Sequence, residues 1–286
     1  MSRIEKSLER AVEIRESGRD GSPGAETPRP EAIAVSGPGG EPLVKPEAVD
    51  GRLVCIKDPC CAAAEQYRKL RASVLKATIG DFLNTIMVTS PGVGEGKSVT
   101  AVNLAVTIAN EIDHTVLLVD ADLRNPSISR YLGLEPRPGL SEYLRGGVRL
   151  SDVLVRTGIG KLLLLPAGSP PENPSELLSS ARMKTLVKEL KNRYRNRYVI
   201  FDSLPLLPAA DAIPLAGYVD GVLMIVQAAR TTPRAASRAI SLIKDSRMLG
   251  IVFNNVPEQL EKQLSAYARY YHGNGKKAPG VAQSLN

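Results

Sequence analysis

Between Ile86 and Phe253 the chain alternates short apolar runs with longer segments whose apolar residues recur every three or four positions. Six runs, Ile86–Val88, Val116–Val119, Leu162–Leu165, Tyr198–Phe201, Val222–Val226 and Ile251–Phe253, are mostly continuous rather than alternating, a pattern that predicts strands buried on both faces. Helix-period segments between them predict right-handed crossovers. The expected fold is therefore α/β, with a mostly parallel central sheet covered by helices on both faces. Another helix is expected ahead of the first strand, through CCAAAEQYRKLRASVLKAT from about Pro59. At the start of the chain Ile4, Leu8, Ala11 and Val12 share one face of a short amphipathic helix, residues 1–16.

The segments outside this pattern set the expected organisation. Residues 17–58 are rich in Pro, Gly and charge and read as a flexible linker; 59–257 read as the folded domain. Residues 258–286 turn polar and read as a mobile tail that carries Tyr267, Tyr270 and Tyr271. No internal repeat is evident.

The loop after the first strand, TSPGVGEGKSVT, carries the clearest chemistry. Gly92, Gly94 and Gly96 leave alternate positions without side chains, so the backbone can curl its N–H groups around a bulky anion. After Lys97 the period becomes helical, which puts a helix N-terminus against the same anion. Strand, glycine loop and helix thus follow in the order of a phosphate-binding loop, with Gly92, Val93, Gly94, Glu95, Gly96, Lys97, Ser98 and Val99 as nucleotide-binding candidates. Lys97 is expected to reach the β/γ-phosphates of ATP, and the Ser98 hydroxyl to ligate Mg²⁺. Pro91 occupies the first glycine position of the general pattern.

Acids at two further strand ends complete the expected site. VLLVDADLRNP ends a buried strand with Asp120 and Asp122, two residues apart and directed to one side, where Mg²⁺ on a nucleotide would relieve their repulsion. The carboxylate left over is a candidate base. Arg124 is placed to face the phosphates or to pair with a neighbouring acid. Asp202, after RYVIF, has the position of a further Mg²⁺ ligand.

Composition narrows the partners. A formal charge of +7 suits an acidic partner, yet the basic residues are scattered and three Phe with no Trp leave little for base stacking, so no nucleic acid is expected. Cys55, Cys60 and Cys61 lack metal-site spacing and fit a reducing cytoplasm. No apolar run approaches the roughly 18–20 residues that cross a bilayer.

Taken together, the Ser90-x-x-x-Gly-Glu-Gly-Lys-Ser98 loop, LLVDADLRNP, VIFDS, LPAGSPPENPSELLSS and GIVFNNV resemble the bacterial tyrosine autokinases (BY-kinases) of capsular and exopolysaccharide synthesis, over roughly residues 60–257. The resemblance implies a P-loop NTPase fold related to the partition ATPases, whose signature lysine is replaced here by Gly92. It implies Mg²⁺ ligation and base chemistry at Asp120 and Asp122, a further metal ligand at Asp202, and ATP and Mg²⁺ as cofactors. It also assigns the E-x-x-R-x-x-R pattern of Glu65, Arg68 and Arg71 to contacts in a homo-oligomeric ring. Tyr267, Tyr270 and Tyr271 become phosphoacceptors for a neighbouring subunit, with a membrane-anchored chain-length regulator as activator recruiting the kinase to the inner membrane face. Ser203-Leu204-Pro205 departs from the family's usual pair of prolines after the aspartate. The competing expectation is a non-kinase regulatory ATPase of the partition-like class, acting as a nucleotide-dependent scaffold.

Overall fold

A computed structural model of the chain describes residues 44–80, 83–193 and 196–257. The strands are β1 (Thr85–Thr89), β2 (Thr115–Asp120), β3 (Val155–Arg156), β4 (Leu162–Leu165), β5 (Arg197–Asp202), β6 (Gly221–Gln227) and β7 (Met248–Asn254). They form one sheet in the order β3-β4-β2-β5-β1-β6-β7, parallel throughout except for the β3–β4 pairing. All six predicted strands are present. The two-residue edge strand β3 is too short to leave a periodic signal in the sequence.

The helices are α1 (Val54–Lys57), α2 (Ala62–Thr78), α3 (Lys97–Ala109), α4 (Ile128–Tyr131), α5 (Leu140–Arg145), α6 (Leu150–Val153), α7 (Pro174–Ser179), α8 (Ala181–Arg193), α9 (Ala212–Ala216) and α10 (Pro233–Leu242). Every residue of α3 from Thr100 to Ala109 is buried, because the helix is packed against the sheet and is itself covered by α2. Cys61 caps α2, its sulfur accepting from the Ala64 amide at 3.3 Å. The Arg71 guanidinium ties α2 to α3 by donating to the Thr107 carbonyl and pairing with Glu111 at 2.8 Å.

Two expectations change. The last part of the expected linker, residues 44–58, is packed on the domain: Val44, Val49, Leu53 and Cys55 are buried in the core that α3 occupies. Asn103, inside α3, holds this strap by accepting from the Cys55 amide at 3.0 Å and donating to the Arg52 carbonyl at 3.1 Å. A linker composition averaged over 17–58 hides four apolar residues that each find the core, and the folded domain begins at least as early as Val44. The second change concerns β7. This edge strand leaves Ile251 44% and Phe253 66% exposed among the described residues, whereas β1, β5 and most of β2 and β6 are buried on both faces as expected. The expected helix over residues 1–16 and the tail from 258 lie outside the described residues.

Candidate active site

The loop leaving β1 is shaped by its glycines and fastened from the far side of the sheet. Gly94 and Gly96 have φ of +77° and +90°, conformations that L side chains rarely adopt. A Cβ on Gly96 would also fall 2.0 Å from the Asn254 amide nitrogen. Glu95 points inward and is 5% exposed. One of its carboxylate oxygens accepts from the Gly92 amide at 3.2 Å and the other from the Thr231 hydroxyl at 2.5 Å, while Asn254 donates to its carbonyl at 2.9 Å. The loop is thus held by residues that follow β6 and end β7.

Lys97 opens α3 and lies between acids. Its ammonium is 2.8 Å from Asp122 and 3.7 Å from Asp202, and it donates to the Ser98 hydroxyl at 3.0 Å. Burial pulls the Lys97 ammonium down, but the negative charges of Asp202 and Asp122 outweigh it and hold the group protonated. Asp120 and Asp202 sit opposite each other on the paired strands β2 and β5. Burial pushes the Asp120 carboxyl up to about 8, with Asp202 adding to the shift; burial likewise raises Asp202, against the opposing pull of Lys97.

The two β2 acids separate in role. Asp120 Oδ2 accepts from the Ser127 and Ile128 amides at 3.2 and 3.1 Å, whereas Asp122 lines the cleft, pairs with Lys97 and accepts from the Asn125 amide at 3.1 Å. Arg124 pairs with Asp211, whose other oxygen accepts from the Ser175 hydroxyl, so its positive charge binds an acid that sequence reasoning did not single out. Glu65 and Arg68 form an intrahelical pair at 2.6 Å on the exposed side of α2, and Arg71 is engaged with α3. Tyr267, Tyr270 and Tyr271 lie outside the described residues. Asn103, Thr231, Asp211 and Asn254 are the site-supporting residues the sequence reading missed. Only Asn254, directly after the apolar run GIVF, sits where a strand end would have flagged it.

The residues present fit a Mg²⁺-bound nucleotide. Asp120 Oδ1 and both Asp202 carboxylate oxygens are buried without a hydrogen-bond partner among the described residues, beside Lys97 and Ser98. Such acceptors are costly unless a cation meets them. A Mg²⁺ ion on a nucleotide needs only one or two protein carboxylates, the remaining oxygens coming from phosphate and water. The loop opens into a cleft of about 1420 Å³.

Residues 86–281 match the family model of the CobQ/CobB/MinD/ParA nucleotide binding domain. The chain is 34% identical over 224 residues to the tyrosine-protein kinase YwqD of Bacillus subtilis, covering 77% of this chain and 91% of that protein. Among solved structures, the chimerical protein CapA2B2 aligns with a TM-score of 0.68 at 28% identity, over 76% of this chain and 95% of that one. The kinase domain of the Escherichia coli tyrosine kinase ETK aligns with a TM-score of 0.68 at 27% identity, over 82% and 84%. With a phosphate loop, a mostly parallel sheet and these relatives in agreement, the chain belongs to the bacterial tyrosine-protein kinases built on the MinD/ParA-like nucleotide-binding fold.

Proposed function

We propose that the chain is an ATP- and Mg²⁺-dependent protein-tyrosine autokinase that phosphorylates Tyr267, Tyr270 and Tyr271 of a second copy and thereby controls exopolysaccharide polymerisation or export. The observation that carries this reading is the group formed by Lys97, Asp122, Asp120 Oδ1 and the Asp202 carboxylate beneath a glycine loop, the Asp120 Oδ1 and Asp202 oxygens accepting no hydrogen bond among the described residues. Backbone amides of the loop and the α3 N-terminus would hold the phosphates. Ser98, Asp120 and Asp202 would hold Mg²⁺, which when bound supplies charge neutralisation of the phosphate oxygens.

In the transfer, the tyrosine oxygen forms a bond to the γ-phosphorus as the bond to the bridging oxygen breaks, releasing ADP. Lys97, drawn onto the phosphates, leaves Asp122 free to accept the phenolic proton, since Asp122 is the acid that lines the cleft. Phosphate adds about −1.5 to −2 of charge per tyrosine. Accumulated on tails that sit against neighbouring subunits, this charge would loosen a ring assembled through Glu65, Arg68 and Arg71.

No helix of the described residues is long and apolar enough to cross a membrane. Recruitment to the inner membrane face by a membrane-anchored chain-length regulator, with activation by its cytoplasmic segment, belongs to the same proposal and rests on family resemblance.

Mixing two variants tests the trans reaction. Protein with all three tail tyrosines changed to Phe is incubated with the Lys97→Met protein, labelled ATP and Mg²⁺. Label on the Lys97→Met tail supports transfer between copies; an unlabelled tail, when the unmodified protein labels itself, shows that transfer stays within one chain.

A further inference from the structure

Composition and environment part company at β7. Five of its seven residues, Met248, Leu249, Ile251, Val252 and Phe253, are large and apolar, yet none of the seven is buried. In the neighbouring strand β6, six of seven are buried. β7 ends the sheet, so nothing among the described residues pairs with its outer edge. The register sets Ile251 beside Met224 and Phe253 beside Val226, so the two exposed side chains continue a row that is buried one strand further in. Phe253 borders the nucleotide cleft, but Met248, Leu249 and Ile251 do not, and a bound nucleotide would leave them open. An apolar edge strand of this kind calls for a cover.

The chain itself supplies one of matching length and pattern. Asn255 has a φ of +52°, in the left-handed region, and Pro257 follows, so the chain leaves the line of the strand at once. The described residues end at Pro257, while the match to the family model continues to residue 281. In the sequence beyond Pro257, Leu260, Leu264, Tyr267 and Tyr271 are spaced four, three and four residues apart, which would put them within about 60° of one another on a helix. Glu258, Glu261, Lys262, Ser265 and Arg269 would fall on the other side. A helix over the 14 residues 258–271 is about 21 Å long, and a seven-residue strand about 23 Å. Tyr270, about 100° from Tyr271, would lie on the flank of the apolar face.

We propose that residues 258–271 fold back over β7 of their own copy as an amphipathic helix, seating Leu260, Leu264, Tyr267 and Tyr271 on Ile251 and Phe253. A segment that starts four residues after the strand meets this face at a high effective concentration, which favours it over the same segment of a second copy. The seat withholds Tyr267 and Tyr271 from a neighbouring active site and leaves Tyr270 within reach, so modification begins at Tyr270. This consequence rests on the reading of the tail tyrosines as acceptors; the seat itself does not. Phosphate on Tyr267 or Tyr271 is too costly to bury against apolar side chains, so a segment modified there stays released, in keeping with the loosening of the assembly by phosphate.

Hydrogen exchange of the full-length protein, read by mass spectrometry over residues 258–271, tests the seat. An isolated helix of this length is marginal in water, so slow exchange reports docking. Exchange is expected to be about tenfold or more slower than in Leu264→Glu or Ile251→Glu, and independent of protein concentration. Both variants should bind ADP with Mg²⁺ as the original protein does. Fast exchange in the original protein, or protection that survives both variants, would overturn the proposal. Protection lost on dilution would assign the segment to a second copy, and protection seen only with anionic phospholipid vesicles would assign it to a membrane surface; either result overturns it as well. A second arm uses Lys97→Met protein as acceptor, with and without Ile251→Glu, and the protein with all three tail tyrosines changed to Phe as donor. Ile251→Glu is expected to raise phosphate on Tyr267 and Tyr271 about fivefold while Tyr270 changes less than about twofold. An unchanged distribution among the three sites would overturn the withholding of Tyr267 and Tyr271. Absence of transfer with intact protection contradicts the kinase reading alone, and transfer without protection contradicts the seat alone.

Discussion

Gly96 combines two constraints that no other residue meets: a φ of +90° and an Asn254 nitrogen where a Cβ would stand. Gly96→Ala is accordingly expected to lose about 1–2 kcal/mol of stability and at least about tenfold in nucleotide affinity, measured by urea unfolding and by calorimetric titration with ADP and Mg²⁺. An affinity that stays unchanged would mean the loop does not need this conformation to bind. The loop residues were legible in the sequence because a phosphate loop is a local object, its glycines, lysine and serine adjacent in the chain. Their supports were not. Thr231 and Asn254 reach Glu95 from 136 and 159 residues away, and Asp211 reaches Arg124 from 87, separations that only the sheet order brings together. The same limit explains the pairing of acids. Reading along β2 links Asp120 with Asp122, whereas the parallel register of β2 and β5 sets Asp120 against Asp202.

At the scale of elements, the strap and α5 are the informative cases. Leu53, within the strap that composition alone marks as a linker, is fully buried in the core. Leu53→Ala is expected to cost about 2–5 kcal/mol, a core-like value, in urea unfolding; a cost under about 0.5 kcal/mol would restore the linker reading. Continuous apolar runs located every strand long enough to show a pattern, because burial on both faces selects such residues directly. Short elements stabilised by single contacts left no such trace. In α5, Glu142 accepts from the Gly139 amide at 2.7 Å and the Ser169 amide at 3.0 Å, joining the helix start to the loop after β4. Burial alone would raise its carboxyl, but these bonds hold it down at about 2. A depressed carboxylate adds stability above its ordinary unfolded value near 4.5, and that contribution is lost as pH falls from about 4.5 through about 2. Glu142→Gln should therefore cost about 1–2 kcal/mol at pH 7, discounted for partial exposure, and the difference from the original protein should shrink steadily toward pH 2. A difference that is independent of pH would contradict the charge-based clip.

For the whole molecule, the exposed Glu65–Arg68 pair and the Arg71 tie to α3 place the ring-contact candidates on one helix covering the nucleotide helix. A paired Arg68→Ala and Arg71→Ala change should convert assemblies to monomers in light scattering, with the fold retained by circular dichroism. Assembly that survives both changes would place the subunit contact elsewhere. The kinase reading is tested most directly on the protein in its native cells, where any activating partner is present. Phosphopeptide mapping by mass spectrometry would compare the original sequence with Lys97→Met while polysaccharide is being made. Phosphate on Tyr267, Tyr270 or Tyr271 that disappears in Lys97→Met is the result expected of an autokinase. A tail unmodified in both proteins would contradict it and leave a regulatory nucleotide-dependent ATPase as the better account of the same site.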